Sequence, residues 1–161
     1  MKQRHHSPRP NPSRRLATVA ALATGALLLT ACAPWRMWTA ADLAREARPY
    51  TAQPAQPVRR ILVVGDSTAV GTGADAPQDS LPGRIGQDHP RWHIDNLAAN
   101  GARYADVAAQ LEQAPAGYDL VLVLAGGNDV IRLTALDTLR TQIDQVVRLA
   151  QQKGQHVLLM P

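Results

Sequence analysis

The chain has 161 residues, a formal net charge of +4, one cysteine, no phenylalanine and twelve prolines. That length suits one domain rather than two; 45% hydrophobic with 19% charged residues excludes disorder by composition, and a single cysteine excludes a disulfide framework or a multi-cysteine zinc site. The basic excess is confined to residues 1–31, where Lys2, Arg4, Arg9, Arg14 and Arg15 face no acid; the rest holds 12 bases against 13 acids, a net charge of −1, and lacks the clustered basic face of a nucleic-acid binder.

Met1–Arg15 is polar and basic, and Leu16–Thr30 is an apolar run of fifteen residues. A membrane-spanning helix needs about 20, so the pair reads as a secretory signal. The run closes on Leu29-Thr30-Ala31-Cys32, which resembles the lipobox of bacterial lipoproteins. The resemblance implies a signal peptide over 1–31, cleavage before Cys32, and lipidation of Cys32. It implies an exported chain, lipid-anchored to a bacterial membrane and facing the periplasm or the cell surface. The plainer alternatives are a signal peptide with a chance cysteine, or an uncleaved anchor. Ser13-Arg14-Arg15 is faintly similar to a twin-arginine signal, but the positions after it fit poorly.

Residues 32–57 read as a spacer after the cysteine. Thr39–Asp42 is a capping-box-like start for a short helix over Ala40–Arg48 ended by Pro49, and Thr51–Pro57 is a stiff Pro/Ala-rich linker. Trp35 and Trp38 fit either a membrane interface or an exposed linker.

The domain is expected over 58–161. Ile61–Val64 is a short β-rich run of the kind buried on both faces, and Gly71–Gly86 is loop-rich with a short helix from Ser80 to Asp88. Trp92–Leu97 reads as a second strand, Ala102–Glu112 as a helix and Leu120–Leu124 as a third strand. Leu136, Leu139, Ile143, Val146, Val147 and Ala150 recur at helical spacing, and that helix closes on Lys153 and a C-terminal glycine, Gly154. Val157–Met160 is a fourth strand. The alternation predicts right-handed βαβ units and a parallel sheet, with a site where its strands end.

Three segments lie at those strand ends: Gly65-Asp66-Ser67-Thr68, Asn100-Gly101 and Gly126-Gly127-Asn128-Asp129. Each taken alone fits a turn or a helix cap. Together they offer a serine hydroxyl, a backbone N–H at an unobstructed glycine and an asparagine amide, which is what acyl transfer needs. A phosphate loop is disfavoured, because Val70 stands where the second glycine belongs and no lysine follows. Gly71-Thr72-Gly73 does not complete a dinucleotide fingerprint.

The three segments resemble, in order, the first blocks of the SGNH (GDSL-like) hydrolases, a family of esterases, lipases, thioesterases and carbohydrate deacetylases. The resemblance covers Val58 to Pro161 and implies a flavodoxin-like three-layer α/β/α sandwich with a parallel sheet, incomplete at about four strands. It implies Ser67 as nucleophile, an oxyanion hole made by the Ser67 and Gly101 N–H groups and the Asn128 amide, and an acyl- or acetyl-ester substrate. Gly65 and Gly126 shape the turns, and Asp66 and Asp129 brace them. No metal or organic cofactor is expected, since serine chemistry needs neither, and no nucleic-acid partner.

The family's acid–base block, D-x-x-H, does not occur in the chain. His89, His93 and His156 fall before or at the starts of strands, the edge opposite Ser67, too far for a general base. The chain as written is therefore expected to be a weak or inactive esterase. In the flavodoxin-like order 2-1-3-4-5, Val157–Met160 would become an apolar edge, and the expectation is the front portion of a longer enzyme. The alternatives are a non-catalytic lipoprotein that uses the same cleft for binding and, less favoured, a nucleotide-binding α/β domain.

Overall fold

The computed structural model describes residues 41–161. The signal, the lipidation expected at Cys32, and Trp35 and Trp38 lie outside the described residues. Asp42–Pro161 forms one compact unit, so the folded domain begins sixteen residues before the expected boundary at Val58.

Four strands make one parallel sheet, β1 (Arg59–Gly65), β2 (Trp92–Asn96), β3 (Tyr118–Leu124) and β4 (Gly154–Met160), in the order β2-β1-β3-β4. Helices α1 (41–46), α2 (Ser67–Val70), α3 (Leu81–Asp88), α4 (Tyr104–Gln113), α5 (Gly127–Ile131) and α6 (Leu136–Lys153) connect or flank them. This is the expected α/β layering, and the four strands fall on the four segments expected to form them.

Strand side chains alternate between faces, and the alternation builds two cores. Leu62, Val64, Val121 and Val123 meet Val107 and Leu111 of α4 and Val146 and Ala150 of α6. Ile61, Val63, Leu122 and Leu124 on the other face meet Ala69 and Val70 of α2 and Ile94 and Ala98, with Ile85 of α3 packed beside them. Burial on both faces explains why these strands read as continuous apolar runs rather than as alternating ones.

Part of the segment read as a spacer belongs to the second core. Ala47, Tyr50 and Ala52 pack against it. Ala52 pairs antiparallel with Ile94 through two backbone hydrogen bonds, Ala52 N–H to Ile94 C=O at 3.0 Å and Ile94 N–H to Ala52 C=O at 2.8 Å.

Gly154 also departs from expectation. It is not a left-handed helix cap: at φ −145° it is extended and opens β4 directly. A Cβ there would lie 2.8 Å from Val121 Cγ2, so the glycine serves the close passage of chain over β3. β4 stands at the sheet edge, with Leu158 and Met160 half exposed.

Candidate active site

Three loops leave β1, β2 and β3 at the same edge of the parallel sheet, because parallel strands all end on one side. Gly65 ends β1 at φ +147°, and a side chain there would overlap the Leu124 carbonyl, so only glycine lets β1 turn beside β3. Asp66 then caps α2, its Oδ1 accepting from Thr68 N–H at 2.9 Å. Ser67 becomes the first residue of α2 and is half-buried. Its N–H makes no backbone hydrogen bond among the described residues, as the first residue of a helix would predict.

The loop after β2 is fixed by Asn96, whose Nδ2 donates to Ala69 C=O at 2.9 Å and whose Oδ1 accepts from Ala98 N–H at 3.1 Å. Ala99 N–H reaches Gly65 C=O at 3.1 Å. Gly101 follows at φ +77°, and its N–H likewise has no backbone partner among the described residues.

After β3, Gly126 caps α5 at φ +137° and puts Asn128 and Asp129 in the first turn. Asn128 Nδ2 donates to Ala102 C=O at 3.1 Å and lies 3.5 Å from Asp66 Oδ2. One amide thus touches both other loops, the serine loop through Asp66 and the glycine loop through Ala102. Asp129, 1% exposed, accepts from Tyr104 N–H at 3.0 Å and from the Thr134 hydroxyl at 3.0 Å. The Tyr104 hydroxyl donates to Ala125 C=O at 3.0 Å. Burial, and then the charges of Asp129 and Asp66, push the Tyr104 phenol above its ordinary value, so it stays a neutral donor. Asp66 and Asp129 are both buried, and both brace loops.

Three further residues tie these loops together, and two of them, Gln110 and Asn96, lie outside the sequence motifs. Gln110 of α4, 8% exposed, clamps the peptide groups of Gly65: Gly65 N–H donates to its Oε1 at 2.8 Å, and its Nε2 donates to Gly65 C=O at 3.0 Å. Asn96 joins the β2 loop to α2. Asn100 accepts from the Thr72 hydroxyl and donates to Ala44 C=O at 2.6 Å, so the chain ahead of β1 forms part of the rim. A cleft of about 220 Å³ lies along that rim, lined by Leu43, Glu46, Ala47, Arg48, Gly71 and Asp75 among others. Spacing carries no sign of Gln110 or Asn96, since each is a lone polar residue inside an element.

The three histidines of the described residues lie at the far edge. His156 pairs with Leu120, four residues before the Leu124 that faces Gly65, which is about 13 Å along the strand. His93 pairs with Arg60 at the start of β1 and lies 3.0 Å from Asp95. His89 stacks on Trp92 at 3.7 Å between ring centroids.

A hydroxyl, two backbone N–H groups without a backbone partner among the described residues, and a side-chain amide thus lie on loops at one sheet edge. The model of the GDSL-like Lipase/Acylhydrolase family matches residues 63–161. A lipolytic protein of the G-D-S-L family from Veillonella parvula superposes at a TM-score of 0.55 with 16% identity, over 62% of this chain and 56% of that one. An extracellular lipase from Streptomyces rimosus gives 0.52 with 24% identity, over 63% and 58%. AlinE4, an SGNH-hydrolase family esterase, gives 0.56 with 25% identity, over 67% and 60%. The chain spans a little under two thirds of the length of these structures. No curated protein matches it. The order of the three loops, the four-stranded sheet and the family match agree: the chain belongs to the GDSL-like lipase/acylhydrolase family.

Proposed function

We propose that the domain is a serine esterase acting on acyl or acetyl esters. Ser67 Oγ attacks the carbonyl carbon, and the developing oxyanion accepts from Ser67 N–H, Gly101 N–H and Asn128 Nδ2. Collapse of the tetrahedral adduct breaks the ester C–O bond and expels the alcohol, which takes up the serine proton by way of water, and a second water then hydrolyses the acyl-enzyme to the carboxylic acid and free Ser67. The observation that supports this most directly is the link from Asp66 through Asn128 to Ala102, which holds nucleophile loop and donor loops in one unit. The 3.5 Å contact to Asp66 is at the limit of a hydrogen bond, which leaves that amide hydrogen available to a substrate oxygen.

No histidine of the described residues reaches Ser67, so none of these can act as its general base. A serine without its base still attacks but loses general-base proton transfer, typically worth about 10²–10⁴-fold. The 161-residue chain is therefore expected to hydrolyse slowly. The same distance favours a second reading, in which the cleft binds an acyl ligand without turning it over. Hydrolysis of an aryl acetate by the wild-type chain and by Ser67→Ala separates the two. The esterase reading expects slow turnover above the buffer rate that Ser67→Ala abolishes, with an unchanged thermal midpoint. Equal rates in both proteins would leave only the binding reading.

A further inference from the structure

Arg132 stands beside the glycine of the proposed oxyanion site. Its backbone N–H closes α5 on Asn128 C=O at 3.1 Å, one turn after the donor amide. Its side chain is exposed and reaches back over the β2 loop. A guanidinium nitrogen lies 3.4 Å from where a Cβ on Gly101 would sit, and, the adjoining Asn100 and Ala102 aside, no other atom of the described residues comes within 4 Å of that point. The space above Gly101 is thus open except for one cation.

That cation has been left without an acid. Two other exposed arginines pair with the carboxylate three residues before them, Arg45 with Asp42 at 3.0 Å and Arg140 with Asp137 at 3.6 Å. The same spacing offers Asp129 to Arg132. Asp129 is instead turned inward and spent on Tyr104 N–H and the Thr134 hydroxyl. Asp66, the other acid of the site, is buried and accepts from Thr68 N–H. Among the described residues the Arg132 guanidinium has neither ion pair nor hydrogen bond. Val130, Ile131 and Leu133 around it are 70%, 79% and 88% exposed, so its immediate chain neighbours bring no competing charge.

We propose that Arg132 is a specificity-determining residue that selects esters carrying an anionic oxygen group, a carboxylate or a phosphate, close to the scissile carbonyl. A planar guanidinium with a free donor fork is suited to such groups, through charge-assisted and often bidentate hydrogen bonds. The inference rests on the esterase reading for its location, and names the substrate class of that site.

The test is equilibrium binding to the full chain carrying Ser67→Ala, which removes turnover. Chemical-shift titration compares monomethyl succinate with dimethyl succinate, and acetylated glycerol phosphate with acetylated glycerol. Each pair differs in one anionic group. The anionic member is expected to bind roughly 10-fold more tightly. Adding Arg132→Gln should bring the ratio close to one, and Arg132→Lys should restore part of it. Preference in one pair or both supports the proposal and tells carboxylate from phosphate. Ratios near one with Arg132 present, or a preference that survives Arg132→Gln, overturn it. Ser67-dependent hydrolysis of the same esters is measured separately on the unmutated chain. Charge-selective binding without hydrolysis would sink the esterase reading alone, and hydrolysis without charge selectivity would sink the role of Arg132 alone.

Discussion

At the scale of single residues, the nucleophile loop is held from behind by an amide. Gln110 makes two hydrogen bonds to Gly65, one to its N–H and one to its C=O, in a place water does not reach. Truncating the side chain would leave both groups of Gly65 without that partner, at about 1–3 kcal/mol each. Gln110→Ala is therefore expected to lower the unfolding free energy by about 2–5 kcal/mol, read from urea midpoints. It should also loosen α2 and so lower any Ser67-dependent rate. Nothing in the sequence singles out Gln110. It lies three residues after Val107 and one before Leu111 on α4, and a 3.6-residue period places it beside the apolar stripe without saying what it meets. Gly65, by contrast, was legible, because a glycine at the end of a buried strand has few other uses.

At the scale of elements, the strands and long helices announced themselves and the short pieces did not. α2 and α5 are too brief for any period to emerge, and their caps, Asp66 and Gly126, look like ordinary turn residues. The stretch 47–52 was hidden differently: it runs from the end of the expected short helix into the expected linker, all within a region read as spacer, yet Ala47, Tyr50 and Ala52 close the second core. Tyr50 shows the fit, since a Cβ on Gly86 would lie 2.5 Å from its ring. Tyr50→Ala should open a cavity under α3 and cost roughly 2–3 kcal/mol, seen as a lower denaturation midpoint. A linker without tertiary contacts would give no change.

At the scale of the whole molecule, the two edges of the sheet carry different chemistry. The far edge holds a polar cluster in which the Tyr118 hydroxyl donates to Asp95 at 2.7 Å, His93 lies 3.0 Å from the same carboxylate, and the Arg60 guanidinium stacks 4.9 Å from the Tyr118 ring centroid. Burial, then the hydrogen bond to Asp95 and its charge, push the Tyr118 phenol well above its ordinary value, against a smaller lowering by Arg60. The unfolded phenol ionises near pH 10 while the folded one still holds its proton. The stabilisation from Tyr118 is thus fully present below pH 10 and declines as pH rises through the raised value. Its contribution to the slope is about 1.4 kcal/mol per pH unit for one proton. Urea unfolding between pH 8 and 11 should show the decline, and Tyr118→Phe should make it shallower. An unchanged slope in the variant would overturn this account.

The sequence by itself determined the parallel α/β architecture and the three loops that bear Ser67, Gly101 and Asn128. Buried strands need unbroken apolar runs, and their turns need glycine, so both leave a local record. It also separated the histidines from Ser67, because parallel strands send their starts to one edge and their ends to the other. Only the tertiary structure decided that Asp129 faces inward, that Arg132 stands over Gly101, that Gln110 grips Gly65 and that Tyr50 belongs to the core. Each of these joins elements distant in the chain, or turns on which way a side chain faces, and spacing within one segment holds no information about either.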